Sequence, residues 1–214
     1  MPLPPPGTPL KDIRAELEAR AQAGDTEAAS RLFRDTQRCA DVRRINTTVS
    51  RMAQRMLDQK TDGISPEAAR GREKMFAEYD KQLNFARDNA AVCEGLSNDD
   101  VNQVVPAAMQ AALLGDTMAA DCYVGSGMYG TPQGLLDHPE WLSNYKQNAV
   151  TIANAAIDRG DWSMVSMLAN AYGANFFCLA ARSGHRARSC TGVSSAQAAR
   201  SRRSEWSRGG FHEP

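Results

Sequence analysis

Apolar and small side chains recur every three or four residues along most of this chain, a spacing that places them on one face of a helix. Alternating apolar and polar positions, the pattern of a half-buried strand, are hard to find. The predicted helical segments, in chain order, are 13–38 with a break at Gly24-Asp25, about 42–59, one that begins at Pro66, and one that begins after Ser97. The pattern therefore predicts an all-α protein.

Two helix boundaries carry capping signals of their own. Gly24 follows an apolar run and suits the left-handed residue that ends a helix, and Asp25 beside it can accept a hydrogen bond from the first turn of the next helix. Ser97, with Asp100 three residues later, approximates a capping box. The segment 13–38 is therefore predicted to be a helical hairpin.

The Gly-Asp pair occurs three times, at Gly24-Asp25, Gly115-Asp116 and Gly160-Asp161, each time followed by apolar residues at plus four, five and eight. Gly115 and Gly160 lie 45 residues apart, and Gly24 and Gly115 lie 91 apart, about two such periods. A degenerate copy is then expected near Gly71. Periods of about 20–50 residues are typical of stacked supersecondary units, although Gly-Asp is also simply a good capping sequence between helices.

The residues that carry the second and third copies are Ala111-Ala112-Leu113-Leu114-Gly115 with Ala119, Tyr123 and Gly127, and then Gly160 with Leu168, Ala169 and Tyr172. This pattern resembles the Sel-like subgroup of tetratricopeptide-type repeats, well over about 107–130 and 152–173 and weakly over 17–32. The resemblance implies stacked helix hairpins, α-solenoid-like or in an irregular bundle. It also implies binding of partner proteins, often in bacterial envelope or secretion systems, and it does not imply catalysis.

Composition divides the chain into three predicted parts. Five prolines lie within the first ten residues, so 1–10 is predicted to be a Pro-rich flexible leader. The helical repeat-like domain is predicted over 11–175. The segment 176–214 is rich in Arg, Ser and Gly and lacks apolar periodicity, which predicts a largely disordered tail.

The formal net charge is zero, so nucleic-acid binding is not favoured by overall charge. Between Asp88 and Ala181, however, only Lys146 and Arg159 oppose ten acidic residues, and from Arg182 onward arginine dominates. The acidic region suggests a protein partner of basic character, and the tail leaves nucleic-acid binding as an alternative. No apolar run approaches the about 18 residues of a membrane-spanning helix, and no secretory signal is recognisable at the start.

Five cysteines occur, at positions 39, 93, 122, 178 and 190, and none forms a Cys-x-x-Cys motif. Cys39 and Cys93 each fall at the end of a predicted helix next to a turn, where a disulfide can tie two hairpins together; the alternative is a pair of buried thiols. A bridge would indicate a periplasmic or envelope location with a leader lost upstream, and free thiols the cytoplasm. No metal site or cofactor is predicted, since Cys178, His185, Cys190 and His212 are irregularly spaced.

Trp141, Tyr145 and Trp162 are candidate aromatic anchors for a partner, because aromatic residues dominate interface energetics. The alternative is that they fill the gap between hairpins. Asp116 and Asp121 belong to the candidate acidic contact surface. Methionines at helical spacing, Met52, Met56 and Met75 among them, are predicted to fill the core, with an adaptable binding surface as the alternative.

The sequence therefore predicts a non-enzymatic protein-binding scaffold or adaptor without catalytic residues. The enzymatic alternative requires a carboxylate pair, Asp99 with Asp100 or Asp116 with Asp121, that converges in a deep pocket. No phosphate loop, nucleophile elbow or His-Glu-x-x-His motif is present. The sequence predicts no oligomeric state.

Overall fold

A computed structural model describes residues 2–59, 63–125 and 137–173. The helices are α1 (Leu10–Gln22), α2 (Thr26–Arg44), α3 (Ser50–Asp58), α4 (Pro66–Asp88), α5 (Asn98–Asn102), α6 (Val104–Leu113), α7 (Thr117–Gly125), α8 (Pro139–Asp158) and α9 (Trp162–Gly173). A π-helical turn (Ile45–Val49) joins α2 to α3, and a 3₁₀ turn (Ala91–Cys93) follows α4. These ranges contain no strand, so the prediction of an all-α protein is confirmed.

The chain separates into two compact units, Met1–Asp161 and Trp162–Pro214, and α9 is the described part of the second. The predicted tail, 176–214, lies outside the described residues. The predicted leader makes defined hydrogen bonds to the first two helices. Arg20 donates to the carbonyl oxygen of Pro2 at 3.1 Å, and Arg31 donates to the carbonyl oxygens of Pro4 and Pro5.

The three Gly-Asp pairs form the same turn. Gly24, Gly115 and Gly160 have φ angles of 90°, 100° and 91°, a left-handed conformation that disfavours any side chain. In each case the amide of the following aspartate donates, at 3.0 Å, to the carbonyl oxygen five residues before it, which closes a Schellman motif. Asp25 and Asp116 then accept hydrogen bonds from the first turns of α2 and α7. The predicted turns and caps are confirmed.

The prediction of a degenerate repeat copy near Gly71 is wrong, because Gly71 lies inside α4 and not at a turn between helices. The chain turns instead before Ser65, and Gly63 has a φ angle of 79°. Ser65 caps α4 and Pro66 occupies its first turn, so the helix starts upstream of the glycine. One glycine inside a helix costs only about 1 kcal/mol relative to alanine, which the 23-residue helix tolerates.

Within the first unit, α1 packs on α2, α2 on α6, α6 on α7 and α7 on α8. Alanines cover most of these contacts. The buried ones on these helices are Ala21, Ala28, Ala29, Ala107, Ala108, Ala111, Ala112, Ala119, Ala120, Ala149, Ala153 and Ala156. Small side chains let the helix axes approach closely, and Leu17, Phe33 and Tyr123 fill the remaining space between them.

A second apolar cluster holds α4 against the end of α2. Val42, Ile45, Val49 and Ala86 are buried together, and Tyr79 and Leu83 pack against them. Next to this cluster, Cys39 on α2 and Cys93 in the 3₁₀ turn are joined by a disulfide, with their Cα atoms 5.3 Å apart. The predicted pairing of these two cysteines is confirmed. The bridge and the cluster together fix where the α3–α4 segment emerges from the core.

Two tyrosines with different hydrogen bonding lie side by side where α7 meets α8, their ring centroids 5.5 Å apart. The Tyr145 hydroxyl donates to the carbonyl oxygen of Val124 at 2.7 Å. The hydroxyl of Tyr123 is fully buried and has no hydrogen-bond partner among the described residues. Burial, with a smaller contribution from Tyr145, raises the pKa of Tyr123 to about 12.

Phenylalanine substitutions at these two positions are therefore expected to have opposite effects. Tyr123→Phe removes a buried hydroxyl that makes no bond, so we expect the free energy of unfolding to rise by about 1 kcal/mol. Tyr145→Phe deletes the bond to Val124 and is expected to lower it by about 1 kcal/mol. Urea unfolding of both variants measures the difference, and a loss of stability in Tyr123→Phe would show that its hydroxyl has a partner in solution.

Candidate functional site

A groove of about 520 Å³ runs between α3 and α4. Most of its lining is apolar, and the apolar residues are Met52, Met56, Ile64, Ala68, Met75 and Tyr79. Positions 52 and 56 are one helical turn apart on α3, and 68, 75 and 79 follow helical spacing on α4, so each set shares one helix face. The local sequence pattern thus produces the two apolar walls.

The groove is apolar yet open to solvent along its outer part. Met56 is buried at its inner side, and the partly buried Tyr79 packs against the apolar cluster beside the disulfide. Met52, Met75 and Ile64, by contrast, are 49%, 48% and 41% exposed. Contiguous exposed apolar side chains are typical of surfaces that bind proteins or membranes rather than of a completed core.

Small residues on α4 create the hollow. Ala68 and Gly71 line the groove, and a Cβ atom built at Gly71 would meet no heavy atom within 4 Å. A larger residue at either position would project into space that is now empty. The depth of the groove therefore depends on the glycine that the repeat pattern assigned to a turn.

Filling this space slightly is expected to stabilise the chain. Gly71 has ordinary helical backbone geometry in the interior of α4, so Gly71→Ala removes the entropic disadvantage of glycine without a clash. We expect the free energy of unfolding to rise by about 0.5–1 kcal/mol. Chemical unfolding followed by circular dichroism measures it, and an unchanged or lower value would mean that the backbone at Gly71 is not helical.

Among the described residues that line the groove, the charged side chains are two arginines, Arg55 on α3 and Arg72 on α4. Neither makes an ion pair with another described residue. The guanidinium carbon of Arg72 lies 5.3 Å from the centroid of the Phe76 ring, a cation–π contact that orders it. The groove is therefore apolar with a positive charge on each wall.

The aromatic anchors predicted from the sequence lie elsewhere, and two of them are buried. Trp141 and Tyr145 are each only 6% exposed, because α8 packs its apolar face on α7, so neither ring is presented to a partner. This corrects their assignment as contact residues. Trp162, at the start of α9, is 80% exposed.

Asp116, one of the two predicted acidic contact residues, has a structural role. Its carboxylate is buried, accepts from the Ala119 amide at 2.8 Å and pairs with Arg34 at 3.1 Å. Burial by itself would raise the pKa of Asp116, but hydrogen bonds from Ser30, Ala119 and Arg34 outweigh it and hold the pKa below its ordinary value. Asp121 lies partly exposed on α7.

None of the four carboxylates of the enzymatic alternative is among the described residues that line the α3–α4 groove or a second, polar cleft. Ser97 caps α5, and the Asp100 carboxylate accepts hydrogen bonds from Ser97 and pairs with Arg14. The hydrogen bonds from Ser97 lower the pKa of Asp100. The polar cleft, of about 330 Å³ between α1, α2 and α6, contains Glu18 as the acidic residue of its lining. In the described ranges no three His, Cys, Asp or Glu side chains come together as a metal site requires.

The sequence contained part of the signal for the groove. Helical spacing predicts that Met52, Met56 and Met75 fill the core or form an adaptable binding surface. It makes no prediction for the other groove residues Arg55, Arg72 and Ile64. Arginines at helical spacing within an otherwise apolar face are a pattern that favours a binding face over a closed core.

No protein-family model matches the chain, and neither curated proteins nor solved structures show significant similarity to it. Among the helices that the structure describes, none combines the length and the apolar character needed to cross a bilayer.

Proposed function

We propose that this chain is a non-enzymatic protein-binding scaffold whose contact surface is the groove between α3 and α4. One observation carries the proposal: half-exposed Met52, Ile64 and Met75 line a hollow of about 520 Å³ on a segment anchored to the core. Methionine is flexible and polarisable, so a surface rich in it adapts to apolar side chains of a partner. The disulfide and the buried cluster beside it supply a rigid base.

Site-specific photo-crosslinking in the cells that make the protein tests this function. Benzoylphenylalanine at position 52 is expected to capture a protein partner, whereas the same residue at the exposed Ala77, which does not line the groove, is expected to capture none. Adding Gly71→Trp, which fills the hollow, should abolish the capture at position 52. Equal capture at both positions, or capture that survives Gly71→Trp, would contradict the assignment.

We also infer that the helical hairpins are degenerate Sel-like units. The shared geometry of the turns at Gly24, Gly115 and Gly160 supports this inference. Substituting each glycine by alanine in turn is expected to destabilise the chain at all three positions, because alanine is strained at positive φ. A neutral result at one position would remove that unit from the set.

The disulfide supports a further proposal, that the protein works in an oxidising compartment such as the periplasm. Cys39 is buried and joined to Cys93. Protein isolated from its natural source without reducing agent is expected to carry the bridge by mass spectrometry. A free Cys39 thiol in that material would place the protein in the cytoplasm.

A further inference from the structure

The proposed function leaves open what kind of segment occupies the groove between α3 and α4. We propose that its occupant is an acidic amphipathic helix of another protein, an inference that rests on the proposed function. Three properties of the groove carry it: the sign of its charges, its shape, and what it would present to a second copy of this chain.

The charge of the groove selects an acidic occupant. Arg55 and Arg72 line it from opposite helices, and no acidic side chain is part of its described lining. Neither arginine has an ion-pair partner within the described residues, so both remain available to carboxylates that flank an apolar stripe. Aspartate or glutamate on both sides of such a stripe would meet one arginine on each wall.

The shape of the groove suits a helix. Two helices form its walls, and apolar side chains stand along both, so an inserted helix can place residues at i, i+3 or i+4, and i+7 between them. The space above Gly71 receives one protruding anchor, because no atom lies within 4 Å of where its Cβ would be. Met52 and Met75 on the open side can adjust to that anchor.

A second copy of this chain is a poorer occupant. A twofold interface through this surface brings the same patch of both copies together. Arg55 and Arg72 of one copy would then meet the identical pair of the other, and like charges that face each other in a partly dry interface are repulsive.

An anionic membrane is also a poorer occupant. Interfacial helices that bind membranes insert a protruding apolar face into the boundary of the bilayer. Here the apolar surface is recessed around Ala68 and Gly71, so a lipid boundary would leave the hollow unfilled.

Two synthetic helical peptides test the inference with the full chain and its disulfide intact. Both carry leucine at i, i+3, i+4 and i+7; one has glutamate at all flanking positions and the other has lysine. By fluorescence anisotropy at low salt, we expect the acidic peptide to bind at least about tenfold more tightly, as two favourable charge contacts in a partly buried groove allow. Raising the salt concentration should narrow this difference.

Three variants separate charge from shape. Arg55→Gln with Arg72→Gln should remove the preference for the acidic peptide, because the apolar walls remain. Gly71→Trp should lower the affinity for the acidic peptide at least about tenfold, because the tryptophan occupies the hollow. Ala77→Trp, an equivalent change at an exposed α4 position that does not line the groove, should leave binding unchanged. Thermal unfolding of each variant verifies that it is folded.

Equal affinity for the two peptides, or acidic-peptide binding unaffected by Gly71→Trp, overturns the inference. So does a groove-dependent dimer in sedimentation, or groove-dependent binding to phosphatidylserine vesicles without a peptide preference. If crosslinking at position 52 captures a protein while the acidic peptide shows no preference, the proposed function stands and only the partner class is wrong. If neither experiment responds to Gly71→Trp, both proposals fall.

Discussion

Replacing Cys39 and Cys93 with alanine is expected to lower the free energy of unfolding by about 4 kcal/mol. The bridge spans 54 residues, and closing a loop of that length in the unfolded chain removes conformational entropy that the reduced chain regains. A loss of this size approaches half the stability of a typical domain, about 5–15 kcal/mol. Chemical unfolding of the double variant at pH 7 measures it.

The closed loop also contains every residue that lines the α3–α4 groove. We therefore expect hydrogen exchange in the double variant to accelerate most in α3 and α4, because the buried cluster at Val42 and Ala86 becomes their main anchor to α2. Cys122→Ala is the matched control, since Cys122 is not part of the Cys39–Cys93 bridge and its loss leaves the bridge intact. If the free energy of unfolding of the double variant lay within about 1 kcal/mol of the wild-type value, the buried cluster alone would hold the α3–α4 segment in place.

Asp116→Ala is expected to lower the free energy of unfolding by about 2–3 kcal/mol at pH 7, because it removes a buried helix cap together with a partly buried ionic hydrogen bond to Arg34. The carboxylate caps α7 through Ala119 and reaches α2 through Ser30 and Arg34, so one side chain joins two hairpins. Asp25→Ala removes the equivalent cap in the first hairpin, where the partner Arg20 belongs to the same hairpin. We expect its effect to be smaller.

The free energy of unfolding is expected to depend on pH through Asp116, and the pKa of this residue fixes the sign of the dependence. The pKa of Asp116 in the folded chain lies below the ordinary value of 3.8, so its contribution is complete above that value and is lost as pH falls through the folded pKa. Asp116→Asn keeps the capping oxygen but cannot titrate. The wild type should therefore lose more stability than Asp116→Asn between pH 7 and about pH 3. Equal losses in urea unfolding would show that Asp116 is not specifically stabilised as a carboxylate.

Local signals in the sequence were sufficient for the helical class and the Gly-Asp turns. The helix end predicted near Cys39 is wrong, because α2 continues to Arg44 and passes through a π-helical turn into α3. Gly24, Gly115 and Gly160 define helix ends because only glycine adopts the left-handed conformation without strain, whichever helices surround it. The caps at Asp25 and Ser97 follow from hydrogen bonds within three residues. The prediction of the Cys39–Cys93 pairing rests on two helix ends beside turns. The pairing is present, but Cys39 lies within α2 and only Cys93 lies at a turn.

The candidate site was only partly accessible from the sequence. Periodicity shows that Met52 and Met56 share a face of α3, but one is half exposed and the other buried. Whether a methionine fills a core or lines a groove depends on what lies opposite it, and for Met52 that is the open space left by Gly71. The repeat pattern predicts a turn at Gly71, whereas the residue lies inside α4. Sequence alone does not separate the two, because a helix interior and a turn both accept glycine.

By itself, then, the sequence determined the all-α class, the Gly-Asp turns and the caps, since each depends on contacts between near neighbours or on a residue that tolerates few alternatives. It left the Cys39–Cys93 disulfide open beside the alternative of two buried thiols, because the bridge joins residues 54 positions apart. Only the tertiary structure decided which apolar faces have a neighbour. In that structure Trp141 and Tyr145 are buried, Asp116 caps α7, and part of the apolar walls of the α3–α4 groove stays exposed. The physical reason is that helical periodicity fixes which side chains lie together on a face, whereas burial depends on long-range packing against that face.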